Sequence, residues 1–159
     1  MNGAEEPLLA SRAVSSPKPR ISYIVGRLDR ALSLAVEERV AAHGLTLPQY
    51  TALSVLRMKS GLSNAQLARR TFVRPQSMMQ VVGKLEAAGL IERSPDEHHG
   101  RILRTEITAK GREVLAACDR AVTQMEKEML ADLDRGQRDE LREALLACVR
   151  RLGAGLDDA

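Results

Sequence analysis

The chain has 159 residues with 28% charged and 2% aromatic side chains, a mass of 17.4 kDa and a pI near 9.1. That length fits one small domain with accessory helices rather than several domains. Two cysteines argue against a disulfide framework. No apolar run reaches the roughly 20 residues of a membrane span, and none follows a basic leader, so a reducing, cytoplasmic setting without a membrane partner is expected.

Residues 1 to 19 mix Pro, Ser, Ala and charges without a sustained period and read as a disordered tail. From Ile21 the apolar positions Ile24, Val25, Leu28, Ala31, Leu32 and Ala35 recur at helical spacing until Gly44, predicting a long amphipathic helix. Thr46 and Gln49 form a capping box around Pro48, and Tyr50, Leu53, Val55 and Leu56 continue a second helix towards Gly61. Ser63 and Gln66 repeat the box for a third, with Leu62, Ala65 and Ala68 on one face and Asn64, Arg69 and Arg70 pointing away. After Thr71-Phe72-Val73 a fourth helix opens near Arg74, with Pro75 in its first turn, where a missing N–H costs nothing. Its apolar stripe is Met78, Val81, Val82 and Leu85, and Gly89 suits its end. The opposite face carries Gln76, Ser77, Gln80, Gly83 and Lys84, with no carboxylate until Glu86.

Two short extended segments follow, Ile91 to Arg93 and Ile102 to Ile107, around a turn from Ser94 to Gly100. Thr108 then caps a long helix reaching about Leu130, with Leu115, Cys118, Val122, Met125 and Met129 spaced like a heptad seam. A last helix from about Asp134 repeats the rhythm at Leu141, Leu145, Cys148 and Leu152. The predicted fold is mainly α with a small β-hairpin wing: a winged helix-turn-helix over 46–108, plus a helical dimerisation layer from 20–45 and 109–154, because long apolar faces must be buried against something. An intramolecular bundle is the alternative, since periodicity does not distinguish the two.

Between Arg57 and Arg104 there are nine Lys or Arg against four acids, a net of +5, whereas the remaining 15 bases and 17 acids sum to −2. Positive charge is thus concentrated on the segment that resembles a DNA reader. Arg74, Pro75, Gln76, Ser77 and Gln80 are the candidate base-reading set on a helix slim enough for a major groove. Ser63, Arg69, Arg70 and Lys84, at its flanks, are candidate phosphate contacts. Arg101, at the hairpin tip, is placed to enter a minor groove.

Leu45-Thr46-Leu47-Pro48-Gln49-Tyr50, Leu67-Ala68-Arg69-Arg70, the run Leu85-Glu86-Ala87-Ala88-Gly89-Leu90-Ile91-Glu92-Arg93 and Ile107-Thr108-Ala109-Lys110-Gly111 together resemble the MarR family of bacterial transcription regulators, over about Ile21 to Leu152. The resemblance implies a homodimer that binds a palindromic double-stranded operator, usually as a repressor, and releases it when a small aromatic or phenolic effector, or an oxidant, acts on it. It also implies an effector crevice where the first, second and fifth helices meet, with Tyr23, Arg27, His43 and Tyr50 as the available polar side chains. The wing departs from the family, with His99-Gly100-Arg101 where Asp-Arg-Arg is usual, so the acid that would orient an arginine is missing and only Arg101 carries over. Arg74 also stands where an acid often caps the recognition helix.

Other functions have weaker support. No nucleophile–base pair is evident, only three histidines are present and two of them share a turn, so neither an enzyme nor a cofactor is expected. Asp96, His98 and His99 do not make a persuasive metal site. Cys118 and Cys148 lie equally far from Leu133, so an antiparallel hairpin turning there would bring them together as a redox pair, although buried cysteines are commonly plain hydrophobes. A winged-helix module that docks a protein instead of DNA is the remaining alternative.

Overall fold

The computed structural model describes residues 17–153, so of the expected tail only the last three residues are described; they are exposed and non-helical. Within these residues the order is α1 (Ile21–Ala41), α2 (Leu47–Met58), α3 (Asn64–Arg70), α4 (Pro75–Ala87), β1 (Ile91–Pro95), β2 (Leu103–Ile107), α5 (Ala109–Met129) and α6 (Arg135–Arg151). The mainly helical class with a hairpin wing agrees with the patterning. None of these helices is long and apolar enough to cross a membrane.

Most boundaries have a local cause. Thr46 N–H donates to Gln49 Oε1 at 2.8 Å. Ser63 N–H donates to Gln66 Oε1 at 2.9 Å, and Gln66 N–H donates back to Ser63 Oγ at 3.3 Å. Asp134 and Gln137 repeat that exchange at the start of α6. The end of α3 is less ordinary. Val73 N–H closes on the Ala68 carbonyl at 3.1 Å and Phe72 N–H on that of Arg69 at 3.4 Å, the paired bonds that end a helix when the next residue is left-handed. Gly44, Gly61 and Gly89 supply positive φ elsewhere, but here it is Phe72, at φ 55°, at a steric cost of about 1–2 kcal/mol.

One buried cluster joins Val36 and Val40 of α1, Leu53 and Leu56 of α2, Leu67 of α3, Met78, Val82 and Leu85 of α4, the hairpin stem and α5. The hairpin is antiparallel, with Ile91 opposite Ile107 and Pro95 opposite Leu103, so Ser94 and Pro95 belong to β1 and not to the expected turn. Residues 61 and 62 add a third edge: Gly61 N–H donates to the Thr105 carbonyl, and Thr105 N–H to that of Leu62, both at 3.0 Å.

Three expectations are corrected. Leu115, Cys118, Val122 and Met125 of α5 are buried in the chain's own core, against α1 and α2, leaving only Met129 of that seam exposed. That seam of α5 is therefore buried within the chain, which makes the helix a spine of its own fold. By contrast α6 buries no residue and has no extensive packing partner among the described residues, with Leu141, Leu145 and Leu152 exposed. It does not fold back along α5, so the supposed hairpin at Leu133 does not form. Ala65 is exposed and does not share a buried face with Leu62 and Ala68, while Asn64 Nδ2 turns inward to donate to the Pro75 carbonyl at 3.0 Å. The short α3 is rotated by its need to bury Leu67, which is fully covered.

The junction between α4, β1 and α5 is tightly bonded. Thr108 Oγ1 donates to the Gly89 carbonyl at 2.8 Å and accepts from Gly111 N–H at 3.0 Å. Thr108 N–H donates to the Leu90 carbonyl at 3.1 Å, and Lys110 Nζ donates to that of Ala88 at 2.8 Å. A Cβ at Gly111 would overlap the Leu90 carbonyl oxygen and lie 2.8 Å from Ile107 Cγ1. Because backbone would have to move, Gly111→Ala is expected to destabilise the fold by about 2 kcal/mol or more, read as a lower urea midpoint at unchanged slope.

Candidate nucleic-acid interface

Burial of Met78, Val82 and Leu85 turns the other side of α4 outward, exposing Gln76, Ser77, Gln80, Gly83 and Lys84 as expected. Arg74 is the N-cap residue without a side-chain cap bond, and both it and Pro75 are exposed, so the first turn offers its free N–H groups to the same side. No Asp or Glu occurs from Leu62 to Leu85. Met79 also stands exposed on α4, an apolar group that the polar-face reading passed over; its position one residue after buried Met78 was the available signal.

Of the candidate phosphate residues, Arg69 and Lys84 are exposed and Arg70 is half-buried. The Ser63 hydroxyl oxygen already serves the α3 cap, and Ser63 is half-buried. Arg57, Arg93 and Arg104 are committed to ion pairs within the chain, with Asp119, Glu86 and Asp96 respectively, so the basic segment presents less positive charge than its composition implies. The Arg93 guanidinium on Glu86 also holds that carboxyl below its usual range.

The wing has its own bracket. Arg104 Nε donates to Asp96 Oδ2 at 2.5 Å, and its Nη1 donates to the Gly61 carbonyl at 3.2 Å and to Gln66 Oε1 at 3.1 Å. Asp96 Oδ1 accepts from the backbone N–H of His98 at 2.9 Å and of His99 at 2.8 Å, and Asp96 N–H reaches the Ile102 carbonyl at 2.8 Å. Asp96 therefore orders the turn that carries Arg101, through Arg104 and the turn N–H groups rather than through the tip arginine itself. It is anchored to the α3 cap. Sequence reading missed this because Asp96 and Arg104 meet only when the hairpin register is known. Arg101, His98 and His99 are all exposed at the tip, and among the described residues no group of three or more His, Cys, Asp or Glu is arranged to hold a metal.

The four candidate effector residues are not gathered into one site. Tyr23 and Arg27 form an exposed pair near the start of α1, with the guanidinium 6.0 Å from the ring centroid. His43 lies in the turn beyond the other end of that helix, which is about 25 Å from Tyr23 to Val40. Tyr50 alone sits at the α2–α5 crevice, half-buried, and donates to Asp119 Oδ1 at 2.9 Å. Arg57 binds the other oxygen of Asp119. Burial, then the neighbouring Asp119, pushes the Tyr50 hydroxyl up to about 12. Asp119 and Arg57 were not among the expected pocket residues, since 69 positions of sequence separate Tyr50 from Asp119.

The cysteines are separated by the same geometry that frees α6. Cys118 is buried in the core and Cys148 exposed on α6, and burial pushes the Cys118 thiol up, away from a reactive thiolate. The intrachain thiol pair is therefore not formed.

A capped helix, a turn, a groove-sized helix with a polar outer face and a hairpin wing define a winged helix-turn-helix transcription regulator. Residues 43–102 match the MarR family. The chain is 34% identical over 125 residues to the HTH-type transcriptional repressor Rv2887 of Mycobacterium tuberculosis, spanning 79% of this chain and 90% of that protein. The chain belongs to the MarR family. Among solved structures, the complex of Rv2887 with DNA is similar at 30% identity with a TM-score of 0.70, over 82% of this chain and 98% of that one. The transcriptional regulator BldR from Sulfolobus solfataricus is similar at 29% identity and a TM-score of 0.74, over 82% and 93%.

The Asp96 bracket has a pH signature. Chiefly through the Arg104 guanidinium and then the turn N–H of His98, its carboxyl is held down at about 2, against an unfolded value of about 4. A depressed carboxyl stabilises fully above the unfolded value and loses that contribution as pH falls towards the folded one. The urea midpoint of Asp96→Asn is therefore expected to fall below wild type at neutral pH, and the gap to close as pH drops from about 4 to about 2.

Proposed function

We propose that the chain works as a homodimeric, sequence-specific repressor whose α4 enters the major groove of a palindromic duplex. The observation that carries this reading is the exposed face of Gln76, Ser77, Gln80, Gly83 and Lys84, on a stretch without a single carboxylate from Leu62 to Leu85. Gln76, Ser77 and Gln80 offer amide and hydroxyl groups that pair with base edges, and Arg74 at the helix start suits a guanine or a phosphate. Arg69, Arg70 and Lys84 neutralise phosphates, with Ser63 as a weaker partner because its oxygen already caps α3. Arg101 enters the minor groove from a tip held by Asp96 and Arg104. The similar protein Rv2887 has been solved in complex with DNA, which supports DNA as the partner.

The dimer surface is formed by the first half of α1 and by α6. Ile21, Ile24, Val25 and Leu28 are exposed on α1, and Leu141, Leu145 and Leu152 on α6. Exposed apolar faces of this kind are characteristic of an interface. Two chains so joined place two α4 helices about one helical turn apart on DNA.

Release by a small aromatic acid is supported by the polar knot of Tyr50, Asp119 and Arg57 between α2 and α5, where an incoming carboxylate would compete with Asp119 for Arg57. Rv2887 has been solved in complex with salicylic acid, at 33% identity and a TM-score of 0.69. We read the chain as a regulator rather than a catalyst.

Fluorescence anisotropy with a duplex selected from a random pool tests the reading. Affinity is expected to fall steeply with salt, and Arg101→Ala to lower the slope of log affinity against log salt by about 1. Gln80→Ala is expected to cost about tenfold on the selected duplex and little on scrambled DNA. Equal losses on both duplexes would contradict base reading by Gln80.

A further inference from the structure

Phe72 is the only phenylalanine in the chain and, among the described residues, the only non-glycine at positive φ. The residue is 82% exposed. The turn it occupies needs only backbone: the bonds from Phe72 N–H to Arg69 and from Val73 N–H to Ala68 would form as well, and with less strain, around glycine. Packing does not account for the ring either, because its neighbour Val73 is the turn residue that reaches the core. A large apolar side chain therefore stands in solvent on a backbone that disfavours it. Strain of that kind, together with exposure, points to a contact made only when the protein is at work.

The surroundings say what that contact is with. Phe72 lies between Arg69 and Arg70 on one side and Arg74 on the other, in the turn that leads into α4, within the carboxylate-free stretch. Arg69 and Arg74 are exposed beside it. Such a rim suits a polyanion and not an acidic or apolar protein groove. In a duplex, the apolar groups that every sequence presents at the rim of the major groove are the deoxyribose rings between successive phosphates, whereas thymine methyls lie on the base edges within it.

We propose that Phe72 is a DNA-positioning residue, resting its ring on a deoxyribose at the groove edge while Arg69 and Arg74 take neighbouring phosphates. This rests on the DNA-binding reading above and adds to it an apolar, sequence-independent contact that sets the depth and angle at which α4 enters. A contact with sugar neutralises no phosphate, so it strengthens binding without adding to the salt dependence.

Phe72→Gly, Phe72→Asn and Phe72→Leu, in the full chain, separate this role from a structural one. Gly and Asn both accept the left-handed backbone, so Phe72→Gly is expected to raise the melting temperature, by about 2–4 °C, and Phe72→Asn not to lower it. Both variants should nevertheless bind the pool-selected duplex about tenfold more weakly than wild type, with scrambled DNA weakened by the same factor and the salt slope unchanged. Phe72→Leu should keep most of the affinity. Unchanged affinity in the Gly and Asn variants would overturn the proposal and leave the ring to a protein partner. A lower melting temperature in both Phe72→Gly and Phe72→Asn would also overturn it, by giving the ring a role inside the chain, since glycine alone also loosens the unfolded chain. Wild type without any salt-dependent binding would instead sink the DNA-binding reading, and this contact with it.

Discussion

The close approach of α5 to the Leu90 carbonyl is the constraint on which the rest of the molecule depends. Gly111 permits it, since any Cβ would collide with that oxygen, and Thr108 and Lys110 tie the carbonyls of Gly89 and Ala88 to the same turn. One knot thereby fixes the end of α4, the start of the wing and the first turn of the long spine. Glu128, near the far end of α5, pairs with Arg39 of α1, so the helical layer and α4 are joined through one helix with little slack. Close packing of this kind is what lets a displacement in one layer of a protein reach another.

Within this frame charge is distributed with a purpose that composition conceals. Several arginines of the basic segment are structural: Arg57 holds Asp119, Arg93 holds Glu86 and Arg104 holds Asp96. Those left exposed, Arg69, Arg74 and Arg101, border α4 and the wing tip. Fixing some cations and presenting others sets where a polyanion can sit, whereas a uniformly basic surface would bind DNA without register. The hairpin tip is likewise ordered by its own carboxylate, so the glycine at 100 does not leave the wing unguided.

Where the chain carries its instructions locally, the sequence could be read. The Ser63–Gln66 box, Pro75 at the start of α4, Gly89 beyond its end and Thr108 before α5 each act through bonds within a few residues, and each marks a boundary that the structure has. The three-and-four spacing of Met78, Val82 and Leu85 likewise sufficed to orient the polar face of α4. What could not be read depends on pairs remote in sequence. The Asp96–Arg104 bracket requires the hairpin register, the Tyr50–Asp119–Arg57 knot requires the crossing of α2 and α5, and the separation of Cys118 from Cys148 requires the direction of α6. A heptad-like seam on α5 was legible as apolar, but not whether its partner lay in the same chain. Phe72 was passed over for another reason: its residue type gives no hint that the backbone beneath it is left-handed.

On the proposed function, two copies of α4 read one two-fold symmetric duplex. Repeated selection of bound duplexes from a random pool, followed by sequencing, tests it most directly. Enrichment of an inverted repeat with half-site centres about 10 base pairs apart is expected. Enrichment of a single asymmetric site, or none at all, would contradict it.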